Sequence, residues 1–285
     1  MAIDKIGKFS VLATLGAGAH SSILRIRREA DGREYALKLV SVDGNDEKKF
    51  LEQAKLEYRV GQMLDHPALV KVYCFETESD WLFRVKKAKL LVEFVPGQTL
   101  DKVPLLKMAK LLRVLEKAAA GLVHMHKAGV VHADLKPNNM MLGRGTNVKI
   151  LDYGLSWIKG EPKDRVQGTP EYMAPETVQH KIINERTDIY NFGATMYRLV
   201  TFKLPPPVLP GIEGMGPDEK MFTSQLKPVQ SLNPIAPKEL SALIHSCLNF
   251  NAHKRPERMS QVQSVLDRLA EAYEAKLSPA ELEEE

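Results

Sequence analysis

Apolar and polar positions alternate over residues 8–15 (KFSVLATL), a period of two that predicts a half-buried strand. Comparable β-like runs follow at 22–28, 33–40, 69–77 and 86–95. Between the third and fourth of these five runs the period lengthens. Phe50, Leu51, Ala54, Val60 and Leu64 form an uneven helical stripe over 46–64, ended by His66-Pro67. Pro96-Gly97 is a natural boundary, and beyond it helical spacing takes over. Leu111, Leu115, Ala118, Leu122 and Met125 mark the core face of a long helix at 107–128. A strand at 147–151 and helices at 238–248 and 259–276 follow, whereas 202–237, rich in Pro and Gly, reads as a loop region.

Composition narrows the class. The 285 residues allow one large domain or two lobes, with 44% apolar and 27% charged residues, an ordinary globular balance. Forty basic residues against 36 acidic ones leave a net charge of +4 without a basic block, so nucleic acid is not an expected partner. Cys74 and Cys247 are far apart and lack metal-ligand spacing, so they are expected as thiols in a reducing cytoplasm. No apolar run reaches membrane length and no leader is visible; Glu281 to Glu285 is read as a solvated acidic end.

Candidate chemistry concentrates in His132-Ala133-Asp134-Leu135-Lys136-Pro137-Asn138-Asn139. Asp134 is suited to accept a proton from an attacking hydroxyl, and Lys136 to neutralise a moving phosphoryl group. Asn139 is suited to hold a divalent metal through its amide oxygen. Asp152-Tyr153-Gly154 offers a second metal carboxylate in a tight turn. Alone, an Asp or Asn is usually a turn residue; here two carboxylates and an amide occur together. Near the start, Gly16-Ala17-Gly18-Ala19-His20-Ser21 joins two strands, and small residues there let backbone amides approach phosphate oxygens. His124 and His126 lack a supporting carboxylate or cysteine at ligand spacing and are read as structural.

These stretches, in this order, resemble the protein kinase family, in the Ser/Thr form because of Lys136. The resemblance covers residues 8 to about 270. It implies an α+β, bilobal protein-kinase-like fold: a β-rich N-lobe with one key helix at 1–95, a mainly α-helical C-lobe at 96–275, and an acidic tail at 276–285. ATP is expected between the lobes. Gly16, Gly18, Ser21 and Ile23 stand at the Gly-rich loop positions, with Ser21 and Ile23 replacing the usual glycine and valine. Lys38, after Ala36-Leu37, matches the phosphate-binding lysine, and Glu57 its ion-pair partner, with Glu52 as the fallback. The Glu93 carbonyl and Val95 amide would bond adenine, with Met141 below it and Ile23 and Ala36 above. Asn139 and Asp152 would hold two Mg2+ ions. Thr169, in Gly168–Glu176, would bond Asp134 and Lys136. Glu176 would pair with Arg255, and Asp188, at the start of a buried helix, would brace the catalytic-loop backbone.

Departures from the pattern carry expectations of their own. Gly61 stands where a large apolar residue is usual, predicting a gap under Tyr153 unless a neighbour such as Tyr58 or Leu64 fills it. The segment Leu100 to Met108 is short for the family's first C-lobe helix. Ala133 replaces the arginine that pairs with an activation-loop phosphate, and Arg165 occupies the position often phosphorylated. Activity is therefore expected not to depend on phosphorylation of that loop. The expected function is transfer of the ATP γ-phosphate to Ser or Thr hydroxyls of proteins. A pseudokinase scaffold and a small-molecule kinase are the alternatives, and a regulatory partner or dimerisation stays open.

Overall fold

The computed structural model describes residues 5–18, 20–42, 47–162, 167–208 and 218–277. The chain divides into two compact units. The first comprises residues 1–65, 70–96 and 152–154; the second comprises 66–69, 97–151 and 155–285.

Among the described residues the first unit is a six-stranded antiparallel sheet with one helix. Its strands are β1 (Lys5–Ile6), β2 (Phe9–Ala17), β3 (Ser21–Arg28), β4 (Glu34–Ser41), β5 (Val72–Ser79) and β6 (Val85–Glu93), in the order β1-β2-β3-β4-β6-β5. Ile26, Tyr35 and Leu37 are buried against Phe9, Val11 and Leu24, the inward halves of the alternating patterns. Helix α1 (Glu47–Met63) packs on β4, β5 and β6. It runs without a break through Gly61. A Cβ on Gly61 would stand 2.5 Å from Cβ and Cγ2 of Val72. The gap predicted there is therefore absent: Val72, first residue of β5, fills the space, and neither Tyr58 nor Leu64 is needed for it.

The second unit is mainly helical. Its short strands β7 (Gln98–Thr99), β8 (Val130–Val131), β9 (Met140–Leu142), β10 (Val148–Ile150) and β11 (Trp157–Ile158) form two small sheets, β10-β9-β7 and β11-β8. Its helices are α2 (Met108–Lys127), α3 (Pro175–His180), α4 (Glu185–Thr201), α5 (Glu219–Gln225), α6 (Val229–Leu232), α7 (Lys238–Cys247) and α8 (Met259–Glu274). Leu112, Leu115, Leu122 and Met125 of α2 are fully buried, and α2 packs along α8. Arg113 ties the same two helices, with Nε and Nη2 on the Glu274 carboxylate at 2.8 and 2.7 Å and Nη1 on Asp267 at 2.9 Å. Asn184 caps α4, accepting from the Arg186 amide at 2.8 Å while Thr187 Oγ1 accepts the Asn184 amide.

Two expectations change. Residues 202–237 are not loop throughout, because α5 and α6 lie within them, α5 capped by the Asp218 side chain. Leu100 to Lys107 forms turns without a helix; Pro104 lacks an amide donor and disfavours helical geometry at Val103. Cys74 is half-buried and Cys247 buried, both as free thiols. Among the described residues no helix is long and apolar enough to cross a membrane.

Candidate active site

In the first unit, β4 presents Lys38 beside Ile23 of β3 and Leu90 of β6, and Ala36 beside Arg25 and Val92. Directly paired residues share a sheet face, so Ile23, Ala36, Lys38 and Val92 line the same one. Lys38 Nζ lies 2.6 Å from Glu57 Oε2 of α1 and 3.3 Å from Asp152 Oδ1. Glu52 instead pairs with Lys55 on the helix surface. Burial opposes the Lys38 ammonium, but the carboxylates of Glu57 and Asp152 outweigh it and raise the amine above the ordinary lysine value. Glu57 has only a shared cation to offset its own burial. Desolvation, helped by the Asp152 charge and opposed by Lys38, pushes its carboxyl up to about 7.

Asp152 adopts φ 61°, a left-handed conformation that aspartate tolerates, and its Oδ1 also accepts the Gly154 amide at 3.2 Å. Tyr153 is fully buried, its hydroxyl donating to the Val70 carbonyl at 3.0 Å. In the Gly-rich hairpin, the Gly18 amide donates to the Ser21 carbonyl at 2.7 Å. A Cβ on Gly16 would meet nothing within 4 Å, and one on Gly18 only ordinary contacts. The chain's own packing does not require glycine at either position, which leaves room for close approach of a ligand. Glu93 ends β6, with its amide on the Lys71 carbonyl at 2.8 Å, and Val95 follows two residues later, half-buried.

In the second unit, the loop 132–139 runs from β8 to β9 and is held from beneath by Asp188 of α4. The buried Asp188 carboxylate accepts the amides of His132 and Ala133, both at 2.8 Å, and faces His126 Nε2 at 2.8 Å. These contacts outweigh desolvation and lower its pKa. They also fix Ala133 at φ 66°, a conformation costly for alanine. His126 is thus a packing partner of the Asp188 carboxylate. His132 accepts the Asp134 amide at Nδ1 (3.3 Å) and donates from Nε2 to the Leu151 carbonyl (3.1 Å), which defines its tautomer.

Around Asp134 the polar groups converge. Thr169 donates its amide and its hydroxyl to Asp134 Oδ1, each at 2.8 Å. Lys136 Nζ stands 3.0 Å from Oδ2 and also donates to Thr169 Oγ1. Asn139 Nδ2 donates to the Asp134 carbonyl (2.8 Å) and to Oδ2 (3.2 Å). These two bonds commit the NH2 of the Asn139 amide, whose other polar atom, Oδ1, is a hard oxygen acceptor. Asp152, in the first unit, carries a carboxylate, also an oxygen donor of the hard type that divalent cations take. Among the described residues no group of three or more His, Cys, Asp or Glu side chains is arranged to hold a metal by itself.

The segment Gly168–Glu176 is braced at its far end. Arg255 Nη1 and Nη2 grip the Glu176 carboxylate at 2.8 Å each, both residues being buried. Met141, on β9, is half-buried between buried Met140 and Leu142. Arg165 lies outside the described residues. Ser156 and Tyr153, the hydroxyls that precede Thr169 in this segment, are both buried. Two partnerships had no sequence signal: His126 with Asp188, sixty-two positions apart, and Asn138 Nδ2 with Asp101 Oδ2 at 3.0 Å.

Comparison with known proteins agrees with this geometry. A family model described as "Protein kinase domain" matches residues 9–266. The serine/threonine-protein kinase pkn2 of Myxococcus xanthus is 30% identical over 94% of this chain and 33% of its own length. The serine/threonine-protein kinase PrkC of Bacillus subtilis is 23% identical over 84% of this chain and 37% of its own. A third, pkn3 of Myxococcus xanthus, is 28% identical over 97% of this chain and 50% of its own. The chain thus spans a third to a half of the length of these relatives. From the match over residues 9–266, the chain belongs to the protein kinase domain family.

Proposed function

We propose that the chain is an ATP-dependent protein serine/threonine kinase, acting on hydroxyls of protein substrates in the cytoplasm. The observation that carries the reading is the network around Asp134, in which Thr169, Lys136 and Asn139 all bond one half-buried side chain. ATP supplies the phosphoryl group, and a divalent cation, magnesium in this proposal, neutralises its oxygens. Asp134 orients the acceptor hydroxyl and takes its proton. Lys136, 3.0 Å from that carboxylate, places positive charge where the phosphoryl group moves. Lys38, kept protonated and positioned by Glu57, binds phosphate oxygens. Asn139 and Asp152 hold the metal. Gly16, Gly18 and Ser21 cover the phosphates with backbone amides, while Ile23, Ala36 and Met141 contact adenine and Glu93 and Val95 bond its edge. Residues 1–95 form the nucleotide lobe, 96–275 the substrate lobe and 276–285 a tail.

Independence from activation-loop phosphorylation belongs to the same reading. Ala133 offers no cation for a phosphate, and the Ser156 and Tyr153 hydroxyls are buried. Thr169 is already held by Asp134 and Lys136. Gly61 gives no support to a pseudokinase, because Val72 fills its surroundings.

The deciding experiment is transfer of labelled phosphate from Mg-ATP to the protein itself and to a generic basic protein, wild type against Asp152→Asn. Transfer by wild type alone is expected. Nucleotide binding without transfer would overturn the kinase reading.

A further inference from the structure

Beside the Asp134 network, the second unit carries a groove of about 650 Å3. Its lining includes Thr169, hydrogen-bonded to the proposed base, and Asn138, four residues beyond that base in the sequence. Residues 100–106, which form turns and irregular backbone, supply much of its wall. That wall is apolar and open. Leu105 is 75% exposed, Phe202 54% and Leu204 43%. Phe202 moreover sits at φ 57° just past the end of α4, a place where glycine is the favoured residue. A strained, half-exposed phenylalanine gains too little burial within its own chain to account for its presence. The charged groups of the rim balance: Asp101 and Glu171 against Arg198 and Lys203. Asp101 is moreover tied to Asn138, and Arg198 to the Phe202 carbonyl. Net charge therefore gives the groove little basis for choosing an occupant, and its apolar wall does.

We propose that this groove selects protein substrates with a bulky apolar side chain within a few residues of the acceptor hydroxyl, and that Leu105 and Phe202 are the residues that determine this specificity. The proposal rests on the kinase reading above. Any segment that presents a hydroxyl to Asp134 passes Thr169, and the groove runs on from there. Its volume lies in the range that accommodates a few side chains. Burying one leucine-sized side chain against Leu105, Phe202 and Leu204 gives about tenfold discrimination over serine, the lower end for a hydrophobic pocket.

The test is a set of fluorescent Ser/Thr peptides with leucine or serine at each position flanking the acceptor. Transfer is followed as kcat/KM, and binding separately by fluorescence anisotropy. The variant is Leu105→Ser with Phe202→Gly; glycine suits the φ of position 202, and Leu105 is exposed, so the fold is retained. The expected result is about tenfold preference for leucine at one or two positions in wild type, collapsing to under twofold in the double variant. Transfer with no leucine preference, or a preference that the variant keeps, would overturn the proposal and leave the kinase reading intact. A leucine preference in binding without transfer would uphold the groove and sink the kinase reading.

Discussion

Gly61→Ala tests whether the departure at this position is a defect or a fit. The added Cβ would lie 2.5 Å from both Cβ and Cγ2 of Val72, about 1 Å inside the usual carbon–carbon contact of about 3.5 Å. Val72 cannot easily yield. It is β-branched, it pairs with Val92 in the sheet, and its carbonyl accepts from Gln62 Nε2 of α1. Overpacking costs about 1–3 kcal/mol, and the helix gains about 1 kcal/mol when alanine replaces glycine. The net expectation is a loss of about 1 kcal/mol. Val72→Ala alone costs about 2 kcal/mol from two lost methyl groups and the cavity. In the double variant the contact with Cγ2 disappears while that with Cβ stays, and the new methyl occupies part of the cavity left by the valine methyls. The two changes therefore couple favourably by about 1 kcal/mol, the part of the clash that the lost methyls relieve. Urea unfolding followed by far-ultraviolet circular dichroism measures all four corners of the cycle. A Gly61→Ala protein more stable than its parent, with additive behaviour in the double variant, would show that the space is empty and the reasoning wrong.

Three further outcomes follow from the geometry. Arg255 uses all five of its donors: two on Glu176 and one each on the carbonyls of Asn249, Arg186 and Phe250. Arg255→Lys leaves buried acceptors unpaired and is expected to destabilise by about 3 kcal/mol, read as a lowered Tm; an unchanged Tm would contradict it. Glu57, pushed from 4.5 up to about 7, binds more protons folded than unfolded between those values. Its linkage contribution is full below about 4.5 and falls as pH rises to about 7, so wild type should lose stability relative to Glu57→Gln across that window and run parallel above it. Denaturation series at several pH values check the sign; a difference that grows with pH would refute it. Phosphatase treatment of purified protein is expected to leave activity within about twofold, a loss of about one pKa unit's worth of energy, tenfold, being enough to reject independence from loop phosphorylation.

Much of this site was legible because its residues sit in compact ordered stretches. Asp134, Lys136 and Asn139 share eight residues, and the Lys38–Glu57 pair joins a strand to the next helix in the chain. Core-facing positions of α2 could be read from spacing alone. What escaped were contacts whose cause lies far along the chain. Gly61 looked like a missing side chain because its filler, Val72, belongs to another element. The apolar patterns of α5 and α6 are only seven and four residues long, too short to stand out within a Pro-rich region. His126 offered no local clue to Asp188, since only packing of α2 and α4 brings them together. The groove wall at 100–106 is irregular backbone, and an absence of pattern does not specify its shape.

Asp188 gives the loop 132–139 an uncommon standing among irregular segments. Its carboxylate takes up the amide hydrogens of His132 and Ala133 from a buried position more than fifty residues further along the chain. Those two amides can exchange with solvent deuterium only when α4 withdraws or the unit opens. They are thus tied to the slow, cooperative openings of the surrounding helices and not to the fast fraying usual for loops. The order of assembly is constrained in the same way. The left-handed turn at Ala133 has little local support until α4 has docked, so the loop reaches its working shape late in folding, as one unit with the core beneath it.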